Sequence, residues 1–215
     1  MRTLALLEPA CLFASIMAYI WFLRFPCPHL WIAILGLMLL SHALHREGPR
    51  AMGFGRRSLL ECAHRFAPAI AVLSLLLLAA GLLLHTTRRM ASDRAFFALA
   101  AYLPWGVLQQ YILNGYFLNR FDQSLSPRAA SWLTAGLFTA AHAPNWFLMA
   151  VALPGGWCST RVYRRYRNLY FLGLAHATVG FLLFLTVPDS ISQHLDVGPG
   201  FVHRWHAHGT TPQTP

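Results

Sequence analysis

Charge is what this chain has least of. Only 11% of its 215 residues are Asp, Glu, Lys or Arg; lysine is absent, and the acidic residues number seven. With 56% of residues hydrophobic and a mean hydropathy of +0.46, that scarcity excludes an ordinary soluble domain. The four cysteines, Cys11, Cys27, Cys62 and Cys158, form no C-x-x-C pair, which removes a cysteine zinc site and a disulfide framework. No repeat of 20–50 residues and no low-complexity segment occurs. Carboxylates are missing where the chain is most apolar: none lies between Asp93 and Asp122, or between Asp122 and Asp189.

What is present is a series of long apolar runs. A spanning helix needs roughly 20 apolar residues, and Thr3–Phe25, His29–His45, Pro68–His85, Ala95–Asn119, Ala129–Ala143, Trp146–Val162 and Leu169–Val187 reach or approach that. The expected fold is all-α, a polytopic transmembrane helical bundle of about seven spans. Along the chain we expect N-terminal transmembrane helices and a basic cytoplasmic loop over 1–94, core helices over 95–187, and a polar, mobile tail over 188–215. The first span shows no small-residue cleavage site, so it is expected to be retained.

All 17 basic residues are arginine, and they fall in the connections. With seven spans, Arg2, the group Arg46–Arg65, the pair Arg120 and Arg128, and the group Arg161–Arg167 share one side. That side carries twelve arginines against five on the other, which holds Arg24, Arg88, Arg89, Arg94 and Arg204. Merging residues 129–162 into one kinked span would erase this asymmetry. The positive-inside rule therefore favours seven spans with a cytoplasmic N-terminus. Arginines so placed face anionic lipid headgroups, and no nucleic-acid partner is expected. The arginine-only usage and compactness suggest a bacterial inner membrane.

Ionisable groups at membrane depth cost a few kcal/mol and are functional by default. His142 and His176 lie in two different apolar runs. The run ending at His142 has only 14 residues from Ala129, roughly 21 Å at 1.5 Å each, and Pro144 disfavours helix at Ala143. A break inside the membrane must be satisfied by protein or line a cavity, so His142 is expected beside one. Gln110 and Asn114 share a helix face, with Gln109 about 100° away. His203, His206 and His208 have metal-like spacing but lack a second ligand cluster.

The order of Gln109-Gln110-x-x-x-Asn114, Phe138-x-x-x-His142 and His176 resembles the CPBP family, the CAAX-protease and bacteriocin-processing-enzyme intramembrane proteases, over about residues 100–185. That family carries E-E-x-x-x-R, F-x-x-x-H and a late histidine, often in H-x-x-x-N/D. The resemblance implies a CPBP/Abi-like core, catalytic roles for His142, His176, Gln109, Gln110 and Asn114, and substrate contacts at Asn145 and Phe138. It also implies a membrane-embedded or membrane-anchored peptide or protein substrate. The departures are Gln109 and Gln110 for the glutamates, Asn114 for the arginine, and Gly180 for the final Asn or Asp. Glutamine cannot accept a proton, so the water-activating role is vacant at Gln109. Exchanging a buried Glu–Arg pair for two amides drops both charges together and keeps a hydrogen-bonded link.

Three readings stay open: an intramembrane endopeptidase with a variant site, a catalytically inactive CPBP-like membrane protein that binds peptides or partners, and a small transporter or channel. No cofactor is required by a motif. Zinc at His142 and His176 is an option, although catalytic zinc usually has three protein ligands.

Overall fold

The computed structural model describes residues 2–209, with side chains for 6–204. Helix α1 (Arg2–Ala18) runs on through a π-helical turn (Tyr19–Leu23), and is followed by α2 (Leu30–Leu44) and α3 (Leu59–Leu83). Helix α4 (Ser92–Gln110) continues through a π-helical stretch (Tyr111–Leu118) into a last turn (Asn119–Asp122). Then come α5 (Pro127–Ala140), α6 (Trp146–Tyr166) and α7 (Leu169–Thr186). The short α8 (Asp189–Ser192), a 3₁₀ turn (Gln193–Leu195) and α9 (Pro199–Gly209) complete the order. No strand forms among the described residues; Phe54 and Asn168 make one isolated antiparallel bridge. The chain is all-helical, as expected.

Local sequence sets where the later helices start. Ser126 Oγ accepts from Ala129 N–H, with Pro127 in the first helical position, where its missing N–H costs nothing. Asn145 and Asn168 cap α6 and α7, accepting from Leu148 N–H at 3.1 Å and Phe171 N–H at 2.9 Å. Helix α6 stops at Arg167, whose φ of +46° is left-handed. The π-helical stretch is almost wholly buried, including Tyr111, Leu113 and Asn114 to Leu118. It forms the centre of the core with Leu12, Met38, Tyr163 and Leu169 packed around it.

The helices run between two ends. At one, the α2–α3 connection meets the α6–α7 turn: Gly53 O accepts from Leu169 N–H at 2.9 Å, and Asn168 Nδ2 donates to Gly55 O at 2.8 Å. At the other, Arg88 N–H bonds Leu185 O at 2.8 Å, and Gly198 N–H bonds Ala143 O at 2.8 Å. Helices α3 to α6 separate the two connections that meet at the first end.

On length and apolarity, four helices among the described residues can cross a membrane: Leu6–Leu23, Leu59–Leu83, Ser92–Asp122 and Leu169–Thr186. Leu30–Leu44 is a shorter apolar helix. The expected count of seven is not reached on that measure, because α5 has 14 residues and α6 carries Arg161, Arg164 and Arg165. Almost nothing of α3 is buried in the protein, and its Leu75, Leu76 and Leu82 face outward, as a lipid-facing helix requires.

Three details differ from expectation. Helix α3 begins nine residues before Pro68, with the proline inside it, which membrane helices tolerate. The basic loop, whose Gly48-Pro49 and Gly53-Phe-Gly55 predict flexibility, is instead tied down, since Tyr163 Oη also donates to Met52 O at 2.9 Å. The stretch from Pro188 to Gly209, expected as a mobile tail, is mostly helical, and its Phe201 is buried. His206 and His208 lie outside the residues whose side chains are described.

Candidate active site

Two glycines bring the site together. A Cβ at Gly106 of α4 would stand 2.5 Å from Gly173 O of α7, and one at Gly173 would stand 2.7 Å from Val107 Cα. Without side chains there, the two helices approach backbone to backbone, the usual way membrane helices pack closely. One turn beyond Gly106 lies Gln110, and three residues beyond Gly173 lies His176. Their side chains meet at 3.2 Å, Gln110 Nε2 to His176 Nδ1.

Gln110 is held by a closed triangle of neutral groups. Asn114 Nδ2 donates to Gln110 Oε1 at 2.7 Å and to Ser159 Oγ at 2.7 Å. The Ser159 hydroxyl in turn donates to Gln110 Oε1 at 2.6 Å. With both donors on its oxygen, Gln110 turns its amide N–H toward His176, so Nδ1 of that ring accepts and Nε2 carries the proton. The hydrogen-bonded amide link expected between positions 110 and 114 is therefore present.

His142 has the opposite arrangement. It lies just past the end of α5, where the chain turns before Asn145. Its Nδ1 is 2.7 Å from Phe138 O. A carbonyl only accepts, so Nδ1 carries the proton and Nε2 keeps its lone pair. The Phe138 ring packs edge-on against both imidazoles, with centroid distances of 4.6 Å to His142 and 5.9 Å to His176. Phe138 and Thr134 also line an apolar recess of about 40 Å³. The Ala143 carbonyl at this break accepts from Gly198 N–H.

Two expected site residues stand apart from this group. Gln109 makes no hydrogen bond to His176, and its Oε1 is buried without a partner. Asn145 is fully buried and spends its side chain on structure: beyond capping α6, Nδ2 donates to Ser192 O at 2.9 Å and Asp196 O at 3.0 Å. Asn114 Oδ1 and Thr134 Oγ1 are also buried and unpartnered.

Sequence reasoning missed Ser159, although a hydroxyl inside an apolar helix was a visible signal. It also missed an ionic cluster at the arginine-rich end. There Arg120, 2% exposed, donates from Nη1 to Glu47 Oε1 at 2.8 Å, from Nη2 to Ser41 Oγ at 2.8 Å and from Nε to Glu8 Oε1 at 3.3 Å. His42 Nδ1 lies 2.6 Å from Glu47 Oε2. Burial alone would raise the Glu47 carboxyl, but hydrogen bonds from Arg120 and His42 outweigh it and hold the group below the ordinary range. These carboxylates are bound to Arg120, ten residues along the helix from Gln110, and do not supply the missing base.

As a zinc seat the site is incomplete. Both Nδ1 atoms are engaged, leaving two Nε2 nitrogens, and no group of three or more His, Cys, Asp or Glu side chains suited to a metal occurs among the described residues. Two imidazoles without a third ligand do not match catalytic zinc.

Residues 91–182 match the family model for type II CAAX prenyl endopeptidase, Rce1-like. That span contains α4 to most of α7 and every residue of the site described above. No curated protein and no solved structure matches the chain.

Proposed function

We propose, for a chain that belongs to the CPBP family through its residues 91–182, that it is an intramembrane endopeptidase cleaving membrane-associated peptide or protein substrates. The observation that carries this reading is the pair of imidazoles in opposite tautomers. His142 offers a lone pair at Nε2 and His176 offers a proton at Nε2, one base and one donor around the same phenylalanine.

In this scheme His142 Nε2 takes a proton from water as the water oxygen bonds to the scissile carbonyl carbon. The developing oxyanion accepts a hydrogen bond from His176 Nε2–H. As the C–N bond breaks, the imidazolium of His142 returns its proton to the leaving amine. Gln110, Asn114 and Ser159 position His176, Gln109 and Phe138 face the substrate, and Asn145 holds the chain after His142 in place. Phe138 O orients His142 as a carboxylate does in other hydrolases, but it supports the imidazolium less. The donor set supports these steps through side chains, and a direct metal-binding measurement tests zinc. The arginine-only basic usage and compactness support a bacterial inner membrane, and the arginine distribution supports a cytoplasmic N-terminus.

One observation favours a second reading, a binding protein that does not cut. The triangle around Gln110 is built from neutral groups, and among the described residues no carboxylate bonds to it.

The test is cleavage of membrane-anchored peptides by the purified full chain. His142→Ala and His176→Ala should each abolish cleavage while leaving membrane insertion intact. Cleavage unchanged in both variants removes the mechanism; peptide binding without cleavage by the unaltered chain selects the second reading.

A further inference from the structure

At the arginine-rich end, the α2–α3 connection and the α6–α7 turn line a half-open cavity of about 460 Å³. Its walls carry Arg50, Arg56, Arg57 and Arg167, with the aromatic rings of Phe54 and Tyr166. No carboxylate lines it. The reason lies in how the few acids are used elsewhere. Glu8 and Glu47 bind Arg120, Asp122 binds Arg164, Asp189 binds Arg88 and Asp196 binds Arg204. Of the remaining two, Glu61 is exposed in the first turn of α3 and Asp93 belongs to the first turn of α4.

Among the described residues, the guanidinium groups of Arg50, Arg56 and Arg57 are exposed and have no hydrogen-bond or ion-pair partner. Only Arg167 is engaged, donating to Ala51 O and to Asn119 Oδ1 and lying over the Tyr163 ring. Four like charges around one cavity repel one another, and an anion relieves that repulsion. The helix ends add to it: Ser58, which also lines the cavity, donates its hydroxyl to Tyr166 O at 2.5 Å and leaves the 25-residue α3 without a side-chain cap. The positive end of that helix favours an anion.

The walls are set before any ligand arrives. Bonds from Leu169, Asn168 and Tyr163 to the carbonyls of Gly53, Gly55 and Met52 fix the loop, and such preorganisation reduces the ordering cost of binding. Guanidinium groups match phosphate oxygens in bidentate geometry. The cavity volume falls within the roughly 300–1,000 Å³ of small-ligand sites.

We propose that this cavity is a binding site for a phosphate group, contributed either by an anionic phospholipid headgroup or by a free phosphate ester. The proposal is independent of whether the chain hydrolyses peptides.

The test uses the full chain in neutral detergent, with binding of dihexanoyl phosphatidylglycerol and of inorganic pyrophosphate measured separately. Two double variants with the same charge change are compared: Arg56→Gln with Arg57→Gln in the cavity, and Arg128→Gln with Arg161→Gln outside it. All four side chains are exposed, so unaltered melting confirms folding. The expected result is saturable binding of at least one probe, weakened on the order of tenfold by the cavity pair and unchanged by the outside pair. Binding of the lipid alone identifies a headgroup site; binding of pyrophosphate as well identifies free phosphate as a competent ligand. Equal weakening by both pairs, or no saturable binding of either probe, overturns the proposal.

Discussion

Replacing Gly173 with alanine tests whether the glycine contact assembles the site. The new Cβ would stand 2.7 Å from Val107 Cα, where ordinary contact begins at 3.4 Å, a shortfall of about 0.7 Å that falls on backbone and so cannot be absorbed by a rotamer. Taken up as separation of α4 and α7, it stretches the 3.2 Å Gln110–His176 contact to about 3.9 Å, beyond a hydrogen bond. Overpacking of this kind costs about 1–3 kcal/mol, and misplacing a reacting group by such a distance lowers kcat/KM on the order of 10- to 100-fold. The assays are thermal unfolding in detergent, peptide cleavage, and ¹⁵N NMR of the histidines, in which His176 Nδ1 should lose its acceptor signature. Gly155→Ala is the control: nothing lies within 4 Å of its Cβ, so it should leave all three readouts unchanged or raise stability slightly. A Gly173→Ala protein with unaltered melting and an unaltered His176 signal would refute the reasoning.

Gln110→Glu should change peptide cleavage more than Gln109→Glu, because of the two it is Gln110 whose side chain meets His176; equal effects in a kcat/KM comparison would count against the assignment. Asn145→Ala removes a helix cap and leaves the carbonyls of Ser192 and Asp196 unpaired. The expected cost is about 2–4 kcal/mol by denaturation, with faster hydrogen exchange over residues 189–198. Asp189 is held below the ordinary carboxylate range by its hydrogen bonds from Arg88, which outweigh burial. Its contribution to stability is therefore present above its unfolded pKa and lost as the pH falls through the lower folded value. Melting measured against pH should show that acid loss, and Asp189→Asn should flatten it.

Several features were legible in the chain itself. Apolar runs with internal prolines and few charges leave no alternative to helices in a membrane, because only internally bonded backbone survives there. The arginine spacing already grouped residues 46–65 with 161–167, and those two connections touch. Histidines at 142 and 176, each set in an apolar run, announced themselves by their cost. The partner of each group, however, depended on how the helices pack. Periodicity separates the face of Gln110 from that of Gln109 but does not say which face meets another helix. That choice was made by Gly106 and Gly173, whose close approach turned Gln110 onto His176 and left Gln109 aside. Asn145 reads as a polar neighbour of His142, yet contact with residues 192–196 commits it to structure. Glu8, Glu47 and Arg120 are separated by up to 112 residues, so no local pattern could join them. The same long-range packing spends the acids away from Arg50, Arg56 and Arg57 and leaves those charges facing one cavity. Composition and spacing set the helices and their sides; the interhelical contacts set the chemistry, because a hydrogen bond needs its partner within about 3 Å and one helix alone cannot provide it.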